Sequence, residues 1–232
     1  MVSQQWGPKT LLARLPAQTR EEVIGLGVER RYRTGDVLLK QGAATRETLL
    51  LLTGFVKVIA EDGTEPVLLT IRAAGDPVGD LAAMSGQLRS ATVIACTPIT
   101  ARFILPQTLR TFLRDRPQVA ELLNALVVDQ LSVANRRRVE MATRPVLDRL
   151  VSVLLDLAEI CGEPQEDGST ALPNWFSQAE LAALVGTSSV DTVQRSLRNL
   201  REQDLIENGY RRITILDPDG LAARRVRPDH EG

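Results

Sequence analysis

Short apolar runs separated by glycines fill residues 31–105, and this arrangement limits the fold more than any other feature of the chain. The runs are three to five residues long and lie at 37–39, 49–52, 56–59 and 67–71. Apolar segments of this length between turn residues are typical of strands in a small antiparallel barrel or sandwich. Two more strands are expected at 91–95 and 100–105, and the Glu-Asp-Gly sequence at 61–63 predicts a hairpin turn.

Helical patterns flank the strand-rich region. Residues 1–24 predict short helices interrupted at Pro16, and Pro117 begins a long helix predicted to span 117–143. Steps of three and four residues define a heptad seam on this long helix, formed by Ala120, Asn124, Val127, Leu131, Ala134, Arg138 and Met141. Such a seam is typical of a helix that pairs with a second copy of itself, although an amphipathic helix buried within one chain gives a similar pattern.

Three further features of the second half follow from the same helical spacing. Leu123, Leu126 and Val133 form a neighbouring stripe that is expected to pack on the strand-rich domain. The basic triplet at 136–138 is interpreted as a solvated face near the end of the helix. The Arg144–Pro145 step predicts a boundary, because the residue before proline disfavours helix, and 146–160 predicts another amphipathic helix.

Composition excludes several classes of protein. The 232 residues, 44% hydrophobic and 25% charged with a net charge of −1, fit two modest globular domains. No 18-residue apolar run and no signal-peptide pattern occur, so a cytoplasmic chain with no membrane partner is expected. Cys96 and Cys161 lie far apart and His230 is the only histidine, so we expect no catalytic residues, no metal site, no haem and no iron–sulfur cluster.

Residues 79–91 combine the groups needed to hold a phosphate joined to a ribose. Gly79 and Asp80 open the segment, followed by Leu81, where a short helix would begin. Arg89 supplies a fork of charged donors and Ser90 a hydroxyl, and a small residue, Ala91, closes the segment. Backbone N–H groups at the helix start would add further donors, and the carboxylate of Asp80 could accept from a sugar hydroxyl.

The region 176–216 predicts a helix-turn-helix followed by a two-stranded wing. Ser177 and Glu180 form a capping box at the start of the first helix, and Gly186 is expected to end it in the left-handed conformation. Thr187, Ser188 and Ser189 could each cap the second helix. That helix turns Val193, Leu197 and Leu200 inward and presents a polar outer face, formed by Asp191, Thr192, Gln194, Arg195 and Arg198.

The wing is predicted at 207–215, with its tip at Gly209 and Tyr210 and two arginines, Arg211 and Arg212, placed to meet DNA phosphates. Residues 144–232 nevertheless contain ten arginines, no lysine and fifteen acidic residues. Contact with DNA must therefore come from a local patch rather than from the overall charge of the domain.

Residues 10–216 resemble the CRP/FNR family of bacterial transcription regulators in the order of their motifs. The resemblance rests on the glycine-rich strand region, the 79–91 segment that is similar to the family's phosphate-binding cassette, and the 188–195 helix start. It implies an α+β fold with an N-terminal antiparallel β-roll of the cyclic-nucleotide-binding type (1–116), a long dimerisation helix (117–143) and a C-terminal winged helix-turn-helix (144–232).

The resemblance also implies partners: palindromic double-stranded DNA, a second copy of the chain, RNA polymerase, and a cyclic mononucleotide such as cyclic AMP or cyclic GMP, with no tightly bound cofactor. Two departures from the family pattern alter these expectations. Ala134 and Asn135 replace the Thr-Ser pair that reaches the base, and Asp80 is shorter than the family's glutamate. The family's first base-reading arginine falls on Val190 or Ser189, neither of which can make a bidentate guanine contact.

Three functions therefore remain open at the level of sequence. The first is a DNA-binding regulator controlled by a cyclic nucleotide. The second is a regulator of the same fold that is active without a ligand. The third is a cyclic-nucleotide-binding module that acts on protein partners through an inert winged helix. No set of residues typical of an enzyme accompanies any of them.

Overall fold

The computed structural model describes residues 6–61, 63, 66–173, 175–209 and 212–226. Two compact units form, Met1–Val133 and Ala134–Gly232, and the long helix α5 contributes to both. The predicted hairpin turn at 61–63 includes Asp62, and the predicted wing tip includes Tyr210 and Arg211, all of which lie outside the described residues, as does His230.

The first unit contains eight strands and five helical elements among its described residues. They are α1 (Leu11–Arg14), α2 (Ala17–Ile24), β1 (Val28–Tyr32), β2 (Val37–Leu39), β3 (Thr48–Leu51), β4 (Phe55–Ala60), β5 (Val67–Ala73), β6 (Pro77–Val78), α3 (Asp80–Ser85), β7 (Thr92–Ala95), β8 (Ile99–Ile104), α4 (Pro106–Asp115) and α5 (Pro117–Thr143). Two antiparallel sheets, ordered β1-β8-β3-β6 and β2-β7-β4-β5, form the predicted β-roll.

Strand β3 shows how the sequence builds two cores around one sheet. Successive side chains of a strand point to opposite faces. Leu49 and Leu51 belong to the cluster with side chains of both sheets, whereas Leu50 belongs to a second cluster with the helices. All three are at most 1% exposed, so β3 is buried on both faces. The continuous apolar run at 49–52 thus reflects a strand covered on both sides.

The helices α1, α2, α4 and α5 cover the outer face of this sheet. The second cluster is formed by Leu11, Leu12, Leu15, Val23, Leu50, Ile104, Val119, Leu123 and Leu126. The predicted packing of Leu123 and Leu126 is therefore correct, while Val133 is only half-buried. Helix α4 was not expected from the sequence. Its signals are Pro106 at the first helical position and the spacing of Leu109, Phe112 and Leu113, which pack on the cluster.

The second unit contains the end of α5 and a helix-turn-helix with a four-stranded sheet. Its other elements are α6 (Val146–Cys161), β9 (Glu163–Pro164), β10 (Thr170–Pro173), α7 (Gln178–Val185), α8 (Val190–Glu202), β11 (Ile206–Gly209), β12 (Arg212–Ile215) and α9 (Pro218–Val226). The sheet order is β11-β12-β10-β9, and β11 and β12 form the predicted wing. Helix α9 was not expected, and its Leu221 is fully buried.

None of the helices in the described part of the chain is long and apolar enough to cross a membrane.

Candidate ligand site and nucleic-acid interface

Gly79 and Arg89 lie in direct contact in the cassette. Gly79 has a φ of 79° and precedes α3, and a Cβ atom added there would lie 2.6 Å from Arg89 Nη1. A side chain at position 79 would therefore be strained in its backbone and would also displace the arginine. The short distance between Gly79 and the Arg89 guanidinium explains why a glycine occupies this position.

Arg89 is buried, with 3% of its surface exposed, and its guanidinium is held by the protein itself. Nη1 donates to the carbonyl oxygen of Gly79 at 2.7 Å, Nη2 donates to that of Glu47 at 2.6 Å, and Nε donates to Thr45 Oγ1 at 3.2 Å. The Glu47 carboxylate also lies 3.5 Å from Nη2. Burial lowers the pKa of Arg89, and the nearby Glu47 carboxylate opposes that shift.

Thr45 and Glu47 were not identified as site residues from the sequence. Both belong to the loop before β3, more than forty residues from Arg89 along the chain. The only sequence signal is a carboxylate immediately before a buried strand, and that signal does not say which arginine it will meet.

Asp80 faces a different environment from Arg89. Its side chain borders a small cavity of about 30 Å³ with apolar walls that include Leu50, Ile104 and Phe112. Burial raises the pKa of the Asp80 carboxyl, and the positive charge of Arg72 opposes this shift. The carboxylate that is predicted to bind the sugar is therefore partly buried beside the helices.

The remaining cassette residues differ in exposure. Leu81 is 48% exposed and Ser90 is exposed, whereas Ala91 is buried. Asn135, the residue expected near the base, lies exposed on the part of α5 that belongs to the second unit. Within the first unit, the structure therefore leaves the hydroxyl of Ser90 accessible and encloses the guanidinium of Arg89.

The helix-turn-helix begins with the predicted capping box. The Ser177 hydroxyl accepts from the Glu180 N–H at 3.1 Å, and the Ser177 N–H donates to Glu180 Oε2 at 2.7 Å. Gly186 ends α7 with a φ of 78°, in the predicted left-handed conformation. The start of α7 and the sharp turn after it are therefore determined by residues close to them in the sequence.

Of the three candidate caps for α8, Ser189 occupies the N-cap position. Its hydroxyl accepts from the Thr192 N–H at 3.2 Å, and its own N–H donates to Thr187 Oγ1 at 3.2 Å. Ser188 is exposed beside them. Capping satisfies the free N–H groups at the start of α8, which is the end that a recognition helix directs toward base edges.

Helix α8 has one buried face and one exposed polar face. Val193, Leu197 and Leu200 are at most 3% exposed. The exposed residues of the predicted outer face are Asp191, Gln194, Arg195 and Arg198, while Thr192 is half-buried. Arg195 Nη2 donates to Thr192 Oγ1 at 3.1 Å, so the arginine lies near the N-terminal end of the helix. An open recess of about 240 Å³ is lined by Gln178, Gln194, Arg198 and Asn208.

On the wing, Arg212 is exposed on β12, and Arg211 lies outside the described residues. The pKa of the Asp167 carboxyl is lowered, first by hydrogen bonds from Ser169 and also by the charge of Arg212. The positive charge of Arg212 therefore interacts with the Asp167 carboxylate. Among the described residues, no group of three or more His, Cys, Asp or Glu side chains could hold a metal ion.

The triplet at 136–138 differs from its interpretation as a solvated basic face. Arg136 and Arg137 form ion pairs with Asp156, at 2.7 and 3.3 Å, and only Arg138 is exposed. These ion pairs could not be predicted from the sequence, because α6 runs back along α5 and brings Asp156 to the triplet.

Comparison with known proteins agrees with this architecture. A family model for the cyclic nucleotide-binding domain matches residues 29–116, and one for the Crp-like helix-turn-helix domain matches residues 148–224. The "CRP-like cAMP-activated global transcriptional regulator" of Mycobacterium tuberculosis is 28% identical over 82% of this chain and 84% of its own. The global nitrogen regulator of Synechococcus elongatus is also 28% identical, over 83% and 87%.

Solved structures show the same fold. A CRP/FNR-family transcriptional regulator from Thermus thermophilus superposes with a TM-score of 0.71 at 25% identity, covering 85% of this chain and 98% of its own. The c-di-GMP-responsive global regulator CLP of Xanthomonas campestris gives a TM-score of 0.72 at 24% identity, covering 87% and 100%. The chain belongs to the CRP/FNR family of DNA-binding transcription regulators. This family regulates transcription and is not enzymatic.

Proposed function

We propose that the chain binds a palindromic operator as a homodimer and inserts α8 of each copy into the major groove. The observation that carries this proposal is the division of α8 into a fully buried apolar face and an exposed polar face behind a capped N-terminus. Regulators of this family bind DNA and form dimers. Half-sites of such dimers lie about one DNA turn apart. Because its target is the operator, the protein would act in the cytoplasm, and RNA polymerase would be a partner there.

The residues at the N-terminal end of α8 would read bases. We assign this role to Asp191, Thr192, Gln194 and Arg195, of which Arg195 is suited to a bidentate contact with guanine. Phosphates would be held by Ser177, Ser188 and Ser189 at the starts of the two helices and by Arg211 and Arg212 of the wing. The surplus of acidic residues in this unit means that binding should depend strongly on this small set.

The dimer would form through the exposed face of α5. Leu131 and Met141, two positions of the predicted seam, are 59% and 53% exposed, and Val128 nearby is 58% exposed. Exposed apolar residues on a long helix indicate a surface that is covered in the assembled protein. Ala134 and Arg138 of the seam are also exposed.

The sensor unit would take a cyclic mononucleotide, cyclic AMP or cyclic GMP, that binds reversibly. Gly79, Asp80, Leu81, Arg89, Ser90 and Ala91 would surround its phosphate and ribose, and Asn135 would approach its base. The relatives do not agree on an effector: the Mycobacterium tuberculosis protein is described as cAMP-activated and the Xanthomonas campestris protein as c-di-GMP responsive. The effector is therefore a matter for direct measurement.

One observation favours the second candidate, a regulator that is active without a ligand. All three nitrogens of the Arg89 guanidinium already donate to protein oxygens, and Glu47 places a negative charge beside it. A phosphate must displace Glu47 or share the guanidinium with it. An arginine that already stabilises the cassette from within could hold the sensor in its active arrangement by itself.

Calorimetric titration of the full chain with a panel of cyclic nucleotides separates the two candidates. Saturable binding of one nucleotide, abolished in Ser90→Ala or Arg89→Lys and retained in the surface control Arg110→Ala, would support the sensor. Absence of binding to every nucleotide, together with operator binding in a gel shift, would support the ligand-independent regulator. Nucleotide binding without operator binding would support the module that acts on protein partners, and absence of both would contradict all three candidates.

A further inference from the structure

The last ten residues of α5, Ala134–Thr143, are attached to the second unit largely through polar side chains. Glu140 is the only buried residue among them. The large apolar side chains Val139 and Met141 are 61% and 53% exposed. Burial of apolar surface therefore does not explain what holds this segment to α6.

Asp156 on α6 is the centre of a cluster of ion pairs. The residue is 9% exposed, and Arg136 Nη2 donates to its two carboxylate oxygens at 2.8 and 2.7 Å. Arg137 Nη2 reaches one of these oxygens at 3.3 Å, and Arg225 Nη2, from α9, reaches the other at 3.4 Å. A carboxylate at this depth is strongly unfavourable unless it is paired, so the cluster must stay assembled for the unit to stay folded.

A second polar contact lies one helical turn further along. The Ser152 hydroxyl donates to Glu140 Oε1 at 3.1 Å, and Glu140 is 6% exposed. Arg136 and Glu140 are four residues apart on α5, as are Ser152 and Asp156 on α6, so the two contacts are successive rungs between antiparallel helices. Sliding one helix along the other would separate Asp156 from Arg136 and Arg137 and Glu140 from Ser152. Asp156 would keep only Arg225, and Glu140 only the more distant Arg136 and Arg144, both at 3.9 Å. The rungs therefore specify a single register.

The end of α5 also contacts the turn between α7 and α8. Arg149 Nη1 donates to the carbonyl oxygens of Met141 and Gly186, both at 3.3 Å. A Cβ atom on Gly186 would lie 2.7 Å from Met141 Cγ, so the two residues are in close contact. On the other side, Arg144 Nη1 donates to the carbonyl oxygen of Arg225 in α9 at 3.1 Å.

We propose that Ala134–Thr143 is a rigid part of the DNA-binding unit, locked in one register on α6 by Asp156 and Glu140. Through Met141 and Gly186 it delivers any movement of α5 to the turn that precedes the recognition helix. The lock is a property of the free protein and needs neither an effector nor an operator.

Hydrogen exchange measured by mass spectrometry on the full chain, without nucleotide or DNA, tests the lock. In Asp156→Asn we expect amides of 136–143 to exchange about tenfold faster than in the unsubstituted protein, because local opening no longer breaks a buried ion-pair cluster. The control Glu159→Gln removes an exposed carboxylate from the same helix and should change these rates by less than about twofold. Unchanged exchange of 136–143 in Asp156→Asn would overturn the proposal.

A milder pair of variants covers the case in which Asp156→Asn does not fold. Arg136→Gln removes the two shortest bonds to Asp156 and leaves Arg137 and Arg225 in place. We expect faster exchange confined to 136–143, whereas Arg110→Gln, the same change at an exposed arginine of α4, should have no effect on these amides. Equal exchange in the two variants would also overturn the proposal. Because no ligand is present, neither outcome bears on operator or nucleotide binding.

Discussion

At the scale of single residues, Arg89 combines two roles that are usually separated. Its position in the cassette suits it to a phosphate, yet its hydrogen bonds join the start of α3 to the loop before β3. A buried guanidinium that donates to two backbone carbonyls is part of the folded framework, because its loss would remove two short hydrogen bonds from a buried site. The chemistry of the site and the stability of the β-roll therefore depend on the same side chain.

Replacing Arg89 by alanine should lower the free energy of unfolding by about 3 kcal/mol, since it removes the hydrogen bonds to the carbonyls of Gly79 and Glu47 and the charged partner of the Glu47 carboxylate. Arg89→Lys should be less damaging, because an ammonium group can still donate to one or two of them. Urea unfolding of the unliganded protein measures both. If Arg89→Ala were as stable as the surface control Arg110→Ala, the structural role of Arg89 would be wrong.

Asp80 should make stability depend on pH in a defined direction. Burial raises its pKa above the ordinary value of 3.8, so the folded state binds a proton that the unfolded state has already lost. The penalty is absent below the unfolded pKa and grows as the pH rises through the raised folded pKa. Relative to the unsubstituted protein, Asp80→Asn should gain stability across that interval, as followed by urea unfolding at a series of pH values. A difference that stays constant with pH would contradict this.

At the scale of elements, the recognition helix is defined by its first residues. Ser189 caps α8 and also interacts with Thr192, whose hydroxyl accepts from Arg195. The capping network thus positions the side chain that is proposed to read a base. The residues that stabilise the start of the helix and those that are proposed to contact DNA therefore lie in one short segment of the sequence.

Ser189→Ala should lower the free energy of unfolding of the second unit by about 1 kcal/mol through loss of the N-cap. It should also weaken operator binding, because Arg195 loses its fixed neighbour. The matched control is Ser188→Ala, which removes the same hydroxyl one residue earlier and should change stability by only a few tenths of a kcal/mol. Thermal unfolding of both variants decides, and equal melting temperatures would refute the assigned cap.

Elements with local signals were predictable, and contacts made at long range were not. The capping box at Ser177, the left-handed Gly186 and six strands of the β-roll follow from residues close together in the sequence, whereas β1 and β6 were not expected. Helix α4 was missed because its ten residues join directly to the strong signal of α5. The partners of Arg89 and Asp156 could not be predicted, because they lie 42 and 20 residues away along the chain and have no periodic relation to the residue they meet.

At the scale of the whole molecule, the two units perform separable tasks and α5 belongs to both. The sensor supplies a cassette closed around Arg89, and the DNA-binding unit supplies a helix with a polar outer face. Their combination in a dimer would turn a local change in the cassette into a change in the spacing of two recognition helices. On this proposal, assembly through α5 would be required for function.

Leu131→Glu should weaken the dimer about 100-fold, because it removes an apolar contact from both copies and places like charges across the two-fold axis. Ser132→Glu introduces the same charge to the side of the seam and should leave the dimer largely intact. Analytical ultracentrifugation over a range of concentrations measures both. A dimer that tolerates Leu131→Glu would rule out the proposed face of α5.

The central claim is that this chain reads a palindromic operator with α8. Enrichment of bound duplexes from a randomised DNA library tests it most directly, with the unsubstituted protein, Arg195→Ala and the control Arg201→Ala compared in parallel. We predict two inverted half-sites centred about one DNA turn apart, with loss of preference at one base pair per half-site in Arg195→Ala and an unchanged motif in Arg201→Ala. Failure to enrich any motif, or an identical motif from Arg195→Ala, would contradict the account.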